Sequence, residues 1–207
     1  MLGGRDSDPR SNGGEPSDGD DSSRSRTADD DQERLLAAED LVLSYGSSED
    51  PVVDSETVTV TPGAVTALVG PNGSGKSTLL KGLADQLTPD AGSVLVDGRE
   101  IQSYDSKTLA RKLGLLSQES TSPNSITVEK LVYHGRYPHR GFFDTVTEED
   151  REAVDRAIEL AGCDHLRDRE VGSLSGGQKQ LAWIAMVLAQ DTDVLLLDEP
   201  TTFLDLH

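Results

Sequence analysis

An α/β fold is predicted by three features: a glycine-rich loop between an apolar run and a helical segment, short strand-like runs around it, and helices inserted later. The apolar run is "AVTALVG" (residues 64–70), and "STLLKGLADQL" follows the loop with its apolar residues at helical spacing. We therefore predict a core that contains a strand, a glycine loop and a helix in this order.

Short strands are expected on both sides of this unit. "EDLVLSY" (39–45) and "ETVTVTPG" (56–63) precede it, and the second alternates with the two-residue period of a half-buried strand, which predicts a small antiparallel region. "GSVLVDG" (92–98) and "KLGLLSQ" (112–118) predict further buried strands. "DVLLLDEP" (193–200) resembles a strand buried on both faces of a parallel sheet.

Residues 120 to about 171 predict a helical insertion between core strands. "TVEKLVYHG" (127–135) and "TEEDREAVDRAIELAG" (147–162) are helical, and Thr147 with Asp150 forms a capping-box pattern. One face of the second helix is apolar: Ala153, Val154, Ala157, Ile158 and Ala161. "SGGQKQLAWIAMVLAQ" (175–190) predicts the helix with which the core resumes.

Length and composition favour one domain, at residues 35–207, with a tail. Residues 1–34 are rich in Gly, Ser, Asp and Pro, so we expect a disordered acidic tail. The net charge is −19, with more Asp than Glu and more Arg than Lys, which favours a salt-adapted, halophilic cytoplasm; an ordinary acidic protein with an acidic tail is the alternative. Such a surface repels nucleic acid.

A reducing compartment, with the cytoplasm as the default, is also expected, and neither a membrane span nor a secretory signal is predicted. The single Cys163 excludes an intrachain disulfide. The longest apolar stretch, at residues 182–189, is far below the roughly 18 residues of a membrane span, and the N-terminus has no secretory apolar core.

"GPNGSGKST" matches the P-loop pattern completely, between a predicted strand and a predicted helix, and predicts a P-loop NTPase core. The glycines let backbone N–H groups point at phosphate oxygens, and the helix N-terminus adds a favourable dipole. Lys76 would reach the β- and γ-phosphates of ATP, and the Ser77 hydroxyl would ligate Mg²⁺. The alternative is a turn that only connects strand to helix. The candidate phosphate-binding residues are Gly70, Pro71, Asn72, Gly73, Ser74, Gly75, Lys76, Ser77 and Thr78.

Two acids follow the last apolar run. Asp198 would be a second magnesium ligand, and Glu199 could orient and deprotonate the attacking water. The alternative for both is an acidic strand end or turn.

"LSGGQ" (174–178) is a second candidate anion site, in which Ser175, Gly176, Gly177 and Gln178 open a helix. Alone, Ser175 would more often be a helix N-cap, but the anion site is favoured over this alternative once the three motifs are read together.

With these three motifs in order, residues 36–207 resemble the nucleotide-binding subunit of ABC transporters. The resemblance implies a head-to-tail homodimer in which each ATP lies between one P-loop and the partner's LSGGQ. It also implies that Tyr45 stacks on adenine, that Gln118 senses the γ-phosphate and Mg²⁺, and that Asp205 signals across the dimer.

Within that family, "GRYPH" (135–139), "WIAMVLAQ" (183–190) and "EPTTFLD" (199–205) resemble the importers of iron-siderophore complexes, haem or cobalamin. The resemblance implies integral membrane permease subunits, an extracytoplasmic solute-binding protein acting indirectly, and a position on the cytoplasmic face of the cell membrane. His134 and His139 do not share a helix face and are not expected to bind metal. Leu181 and Phe203 stand where relatives often have Arg and Ala.

The chain ends a few residues after Glu199, and His207 is too close to be the family's switch histidine. We therefore expect the C-terminal part of the family's domain to be missing. The alternative function is a nucleotide-binding regulatory or dimerisation module with little turnover.

Overall fold

The computed structural model describes residues 35–46, 50–118, 125–141 and 145–200. The predicted tail at 1–34, Asp205 and His207 lie outside these ranges. The strands are β1 (Leu36–Leu43), β2 (Val53–Val60), β3 (Ala91–Val96), β4 (Arg99–Glu100), β5 (Leu113–Leu116) and β6 (Val194–Leu197). The α-helices are α1 (Lys76–Leu83), α2 (Ser106–Lys112), α3 (Val128–His134), α4 (Glu148–Leu160) and α5 (Gly176–Ala189).

The first four strands form the predicted antiparallel region, in the order β2-β1-β3-β4. β1 is central, and Leu36 lies opposite Val60 on one side and Val96 on the other. The apolar side chains of this sheet, with α1 and the parallel strands, form one buried core. The antiparallel region therefore packs directly on the helix that follows the glycine loop.

β5 and β6 form a parallel pair, in register from Leu113 opposite Val194 to Leu116 opposite Leu197. Their parallel alignment brings the residues that follow both strands to one edge of the sheet. The motifs at Gln118 and Asp198 therefore lie at the same edge, as a P-loop core requires.

The predicted strand at residues 64–70 is wrong. This segment has no strand pairing, and Val65 and Val69 are 97% and 94% exposed. A cleft of about 590 Å³ separates the segment from β6. The apolar composition of the segment favoured a strand. A strand also needs a neighbouring strand to which its backbone can hydrogen-bond, and composition does not specify that neighbour.

β6 is not buried on both faces, as its sequence had suggested. Val194 and Leu196 are buried, whereas Leu195 and Leu197 are each 37% exposed and line the cleft. Among the described residues β6 pairs on one side only, with β5, because residues 64–70 do not form a strand beside it.

α3 and α4 form the helical insertion and pack against α5 around a second buried core. The capping box at the start of α4 is present, and the apolar face is buried except at Ala161, which is half-buried. The ends of the insertion meet: Val128 N–H donates to Arg169 O, and Val171 N–H donates to Ile126 O.

Cys163 is fully buried in this second core, and burial raises the pKa of its thiol. None of the helices in the described residues is both long and apolar enough to span a bilayer.

Candidate nucleotide-binding site

The glycine loop adopts backbone conformations that its sequence makes possible. Gly73 and Gly75 have φ angles of +82° and +88°, which side-chain-bearing residues rarely adopt. At Gly75 a Cβ would also lie 2.9 Å from Val52 O. The loop therefore packs closely against the start of β2, and glycine is required there for both reasons.

The Lys76 side chain bonds the backbone at the start of the glycine loop. Its Nζ donates hydrogen bonds to Gly70 O and Pro71 O, both at 2.9 Å. Gly75 is the N-cap of α1, and no side chain caps this helix end. The first N–H groups of α1 therefore carry the positive end of the helix dipole, with no capping side chain and no acidic residue in the first turn.

A cavity of about 380 Å³ lies over this loop. It is lined by Val52, Asn72, Gly73, Gly75, Lys76, Ser77, Thr78, Gln118 and Glu199. Residues far apart in sequence therefore meet around one cavity, whose lining includes a lysine, two hydroxyl groups, a carboxylate and two amides.

Gln118 and Glu199 bond to each other across 81 positions of sequence. Gln118 Nε2 donates to Glu199 Oε2 at 3.1 Å. They meet because the parallel pairing continues past the strand ends, where Asp198 N–H donates to Leu116 O at 2.9 Å. Glu199 has a φ of +47°, an unusual conformation for a non-glycine residue at this strand end.

Asp198 is buried, with 7% of its surface exposed. It lines the cleft between residues 64–70 and β6 rather than the cavity over the glycine loop, but Lys76 and Glu199 line both. The predicted magnesium ligands Ser77, Gln118 and Asp198 thus line two adjoining cavities that share Lys76 and Glu199.

Tyr45 lies beside α1 and is 49% exposed. The Thr78 hydroxyl lies 3.5 Å from Tyr45 Oη, and Lys81 Nζ lies 5.9 Å from the ring centroid. The ring is therefore next to the P-loop helix, where a base could reach it, and stacking on adenine stays a prediction.

The LSGGQ segment does not line this cavity. Ser175 is the N-cap of α5: its Oγ accepts from Gln178 N–H at 3.3 Å, and Gln178 Oε1 accepts from Ser175 N–H at 3.1 Å. Gly176 and Gly177 form the first turn between them. Ser175 is therefore an N-cap in this structure, its role as an anion-site residue stays a prediction, and within one chain this segment does not line the cavity.

Val52 is the cavity residue that sequence reasoning missed. It is 42% exposed, and its carbonyl lies against Gly75. An apolar residue just before a strand carries no signal of a binding site, so only the approach of β2 to the glycine loop reveals it.

The fold and the cavity define a nucleotide-binding protein with a P-loop core. A model of the ABC transporter family matches residues 53–202, and the chain belongs to this family.

The chain is 52% identical over 171 residues to the ferric enterobactin transport ATP-binding protein FepC of Escherichia coli strain K12, covering 83% of this chain and 62% of FepC. It is 46% identical over 171 residues to the probable siderophore transport system ATP-binding protein YusV of Bacillus subtilis strain 168, with the same shares of the two chains. The chain thus spans less than two thirds of the length of these relatives.

Among solved structures, the chain matches the dimeric structure of MJ0796, a bacterial ABC transporter cassette, with a TM-score of 0.72. The identity is 25%, and the match covers 83% of this chain and 76% of the other.

Proposed function

We propose that this chain is the ATP-binding subunit of an ABC importer, and that it hydrolyses MgATP to drive uptake of an iron-siderophore or a related metal chelate. The observation that carries the proposal is the cavity that is lined both by Lys76 of the P-loop and by the hydrogen-bonded pair Gln118 and Glu199. The siderophore part is supported by the names of the similar proteins FepC and YusV.

Each side of the cavity has a chemical role in this proposal. The β- and γ-phosphates replace Gly70 O and Pro71 O as partners of the Lys76 ammonium, and the loop N–H groups bind the remaining phosphate oxygens. Glu199 orients the attacking water and accepts its proton once Gln118 turns away from it.

The donor set fits Mg²⁺, because Ser77, Gln118 and Asp198 offer a hydroxyl, an amide oxygen and a carboxylate around Lys76. Bound there, Mg²⁺ would neutralise part of the phosphate charge.

The proposed working unit is a head-to-tail homodimer. LSGGQ opens a helix whose N-terminus suits an anion, yet it is absent from the cavity of its own chain. The dimeric arrangement of the MJ0796 cassette supports a second copy as the source of the missing contact. Each nucleotide would then lie between one P-loop and the Ser175–Gln178 segment of the partner.

Partners of this dimer would be integral membrane permease subunits and, through them, an extracytoplasmic solute-binding protein. A cleft of about 510 Å³ between α2 and residues 137–141 supports this docking, and Tyr137 at its edge is 73% exposed. The chain would therefore work on the cytoplasmic face of the membrane. Its net charge of −19 argues against nucleic acid as a partner.

Crosslinking from Tyr137 in native membranes tests the docking. A photoreactive residue at this position should capture an apolar multispan protein. The same group at exposed Leu160, the last residue of α4, should not. Crosslinks from Tyr137 confined to soluble proteins would contradict the proposal.

Steady-state hydrolysis tests the enzymatic part. Glu199→Gln keeps the shape of the cavity and removes the base, so MgATP affinity should be retained while turnover falls at least ~100-fold. Wild-type protein that binds MgATP but shows no turnover would instead indicate the regulatory module.

A further inference from the structure

Two helix C-termini meet beside the parallel strands. The last carbonyl groups of an α-helix have no partner within the helix, so they need donors from elsewhere. Gln190, directly after α5, supplies one for α2: its Nε2 donates to Ala110 O and, at 3.2 Å, to Leu113 O. Both acceptors are carbonyl oxygens, so only the amide nitrogen can face them.

The end of α5 is held in turn by residues that follow α3. Arg136 Nη1 donates to Ala189 O at 3.0 Å, and His139 Nε2 lies 2.7 Å from Gln190 O. Since a carbonyl only accepts, His139 carries a proton on this nitrogen. The cationic Arg136 also interacts favourably with the negative end of the α5 dipole. Gln190 is thus fixed through both its backbone and its side chain.

This contact lies between two functional segments. Leu113 is the first residue of β5, and Gln118, which bonds Glu199, follows the end of the same short strand. α5 begins directly after Ser175 of LSGGQ. Gln190 therefore joins the far end of the LSGGQ helix to the strand that carries Gln118.

We propose that Gln190 is a positioning residue that couples the occupancy of the nucleotide cavity to the position of α5. The inference rests on the proposed MgATP binding. When Gln118 leaves Glu199 for a bound nucleotide, any shift of β5 also moves Leu113 O. The two hydrogen bonds of the Gln190 amide then carry α5 with the strand. Without them, α5 contacts β5 through apolar packing such as that of Val187 against Gly114, which is not directional, and is otherwise linked to it through the short connection that leads into β6.

Trp183 reports on this coupling, because it is the single tryptophan of the chain and lies on α5, half-buried against the second core. We would titrate MgATP and record Trp183 emission, with affinity measured independently by calorimetry. Gln190→Met removes both donors at similar side-chain length, and Gln190→Lys restores a donor of similar reach. Gln102→Met makes the same exchange at an exposed turn and is the matched control.

The wild type, Gln102→Met and Gln190→Lys should show a nucleotide-dependent change of Trp183 emission. Gln190→Met should bind MgATP with wild-type affinity and lose that change, a separation that general destabilisation would not produce. A full emission change in Gln190→Met, or its loss in Gln190→Lys with affinity intact, would overturn the inference. Wild-type protein that binds MgATP without any emission change would overturn this inference alone, and absence of MgATP binding would overturn the proposed function as well.

Discussion

Lys76 is the residue on which nucleotide binding most depends in this account. Its ammonium already bonds two loop carbonyls, so phosphate oxygens replace existing partners rather than a hydration shell. Charge-assisted contacts of this kind contribute about 1.5 kcal/mol or more, so Lys76→Ala should weaken MgATP binding at least ~10-fold. Isothermal calorimetry measures it, with exposed Lys130→Ala as the control. Equal affinities of wild type and Lys76→Ala would refute the assignment.

Asp150 and Arg136 form a buried ion pair, with Arg136 Nε 3.0 Å from Asp150 Oδ1 and exposures of 1% and 3%. Asp150→Asn leaves the buried guanidinium with only the exposed Glu149 carboxylate, 3.9 Å from Arg136 Nη2, so the free energy of unfolding should fall by about 3 kcal/mol. Arg151 and Glu148 are exposed, so Glu148→Gln should cost less than about 1 kcal/mol. Urea unfolding compares the two, and equal losses would contradict the argument.

The same pair predicts a pH dependence. Burial raises the pKa of the Asp150 carboxyl, but hydrogen bonds from Thr147 and Arg136 outweigh it and hold that pKa below its ordinary value. A carboxyl with a lowered folded-state pKa stabilises the fold above its unfolded pKa of about 3.9, and this contribution is lost as the pH falls toward the folded value. The stability difference between wild type and Asp150→Asn should therefore shrink below about pH 4. A difference that is constant with pH would show that the charge is not its cause.

At the scale of elements, the approach of α3 to α5 depends on Gly135. A Cβ there would lie 2.1 Å from Met186 O, so Gly135→Ala must separate the two helices. We expect a loss of about 2 to 3 kcal/mol in unfolding free energy. A Cβ at Gly162 would have no atom within 4 Å, so only the φ of +67° disfavours Gly162→Ala. We expect this substitution to lower the unfolding free energy by about 1 kcal/mol. Equal losses in denaturant unfolding would mean that the helices do not pack this closely.

Sequence patterns within a few residues predicted many features of these elements. Features that depend on contacts between distant residues were not predicted. The P-loop, the capping box at Thr147 and the buried face of α4 follow from spacing within a few residues, and the structure contains them. The prediction of a strand at residues 64–70 was wrong, because a strand forms only with a neighbouring strand that local composition does not specify. Val52 and the Gln190 contacts join residues that are distant in sequence, so no local pattern could have predicted them.

At the scale of the whole molecule, the net charge of −19 predicts salt dependence. Self-repulsion opposes the compact state, and salt shortens the screening length from about 10 Å at 0.1 M to about 3 Å at 1 M. The free energy of unfolding should therefore rise as KCl increases over this range. Thermal unfolding with KCl, against an uncharged osmolyte at equal osmolarity, checks it. A stability that falls with KCl would contradict the salt-adapted interpretation.

In the proposed homodimer, the P-loop of one copy and LSGGQ of the other form one MgATP site. Mixing two defective chains tests it most directly. Lys76→Ala weakens phosphate binding at least ~10-fold but keeps LSGGQ, and Ser175→Arg blocks LSGGQ but keeps the P-loop, so only a mixed dimer has one intact site. Sedimentation velocity with MgATP should show each variant alone as monomers and the mixture associating. A mixture that associates no more than either variant alone would contradict the account.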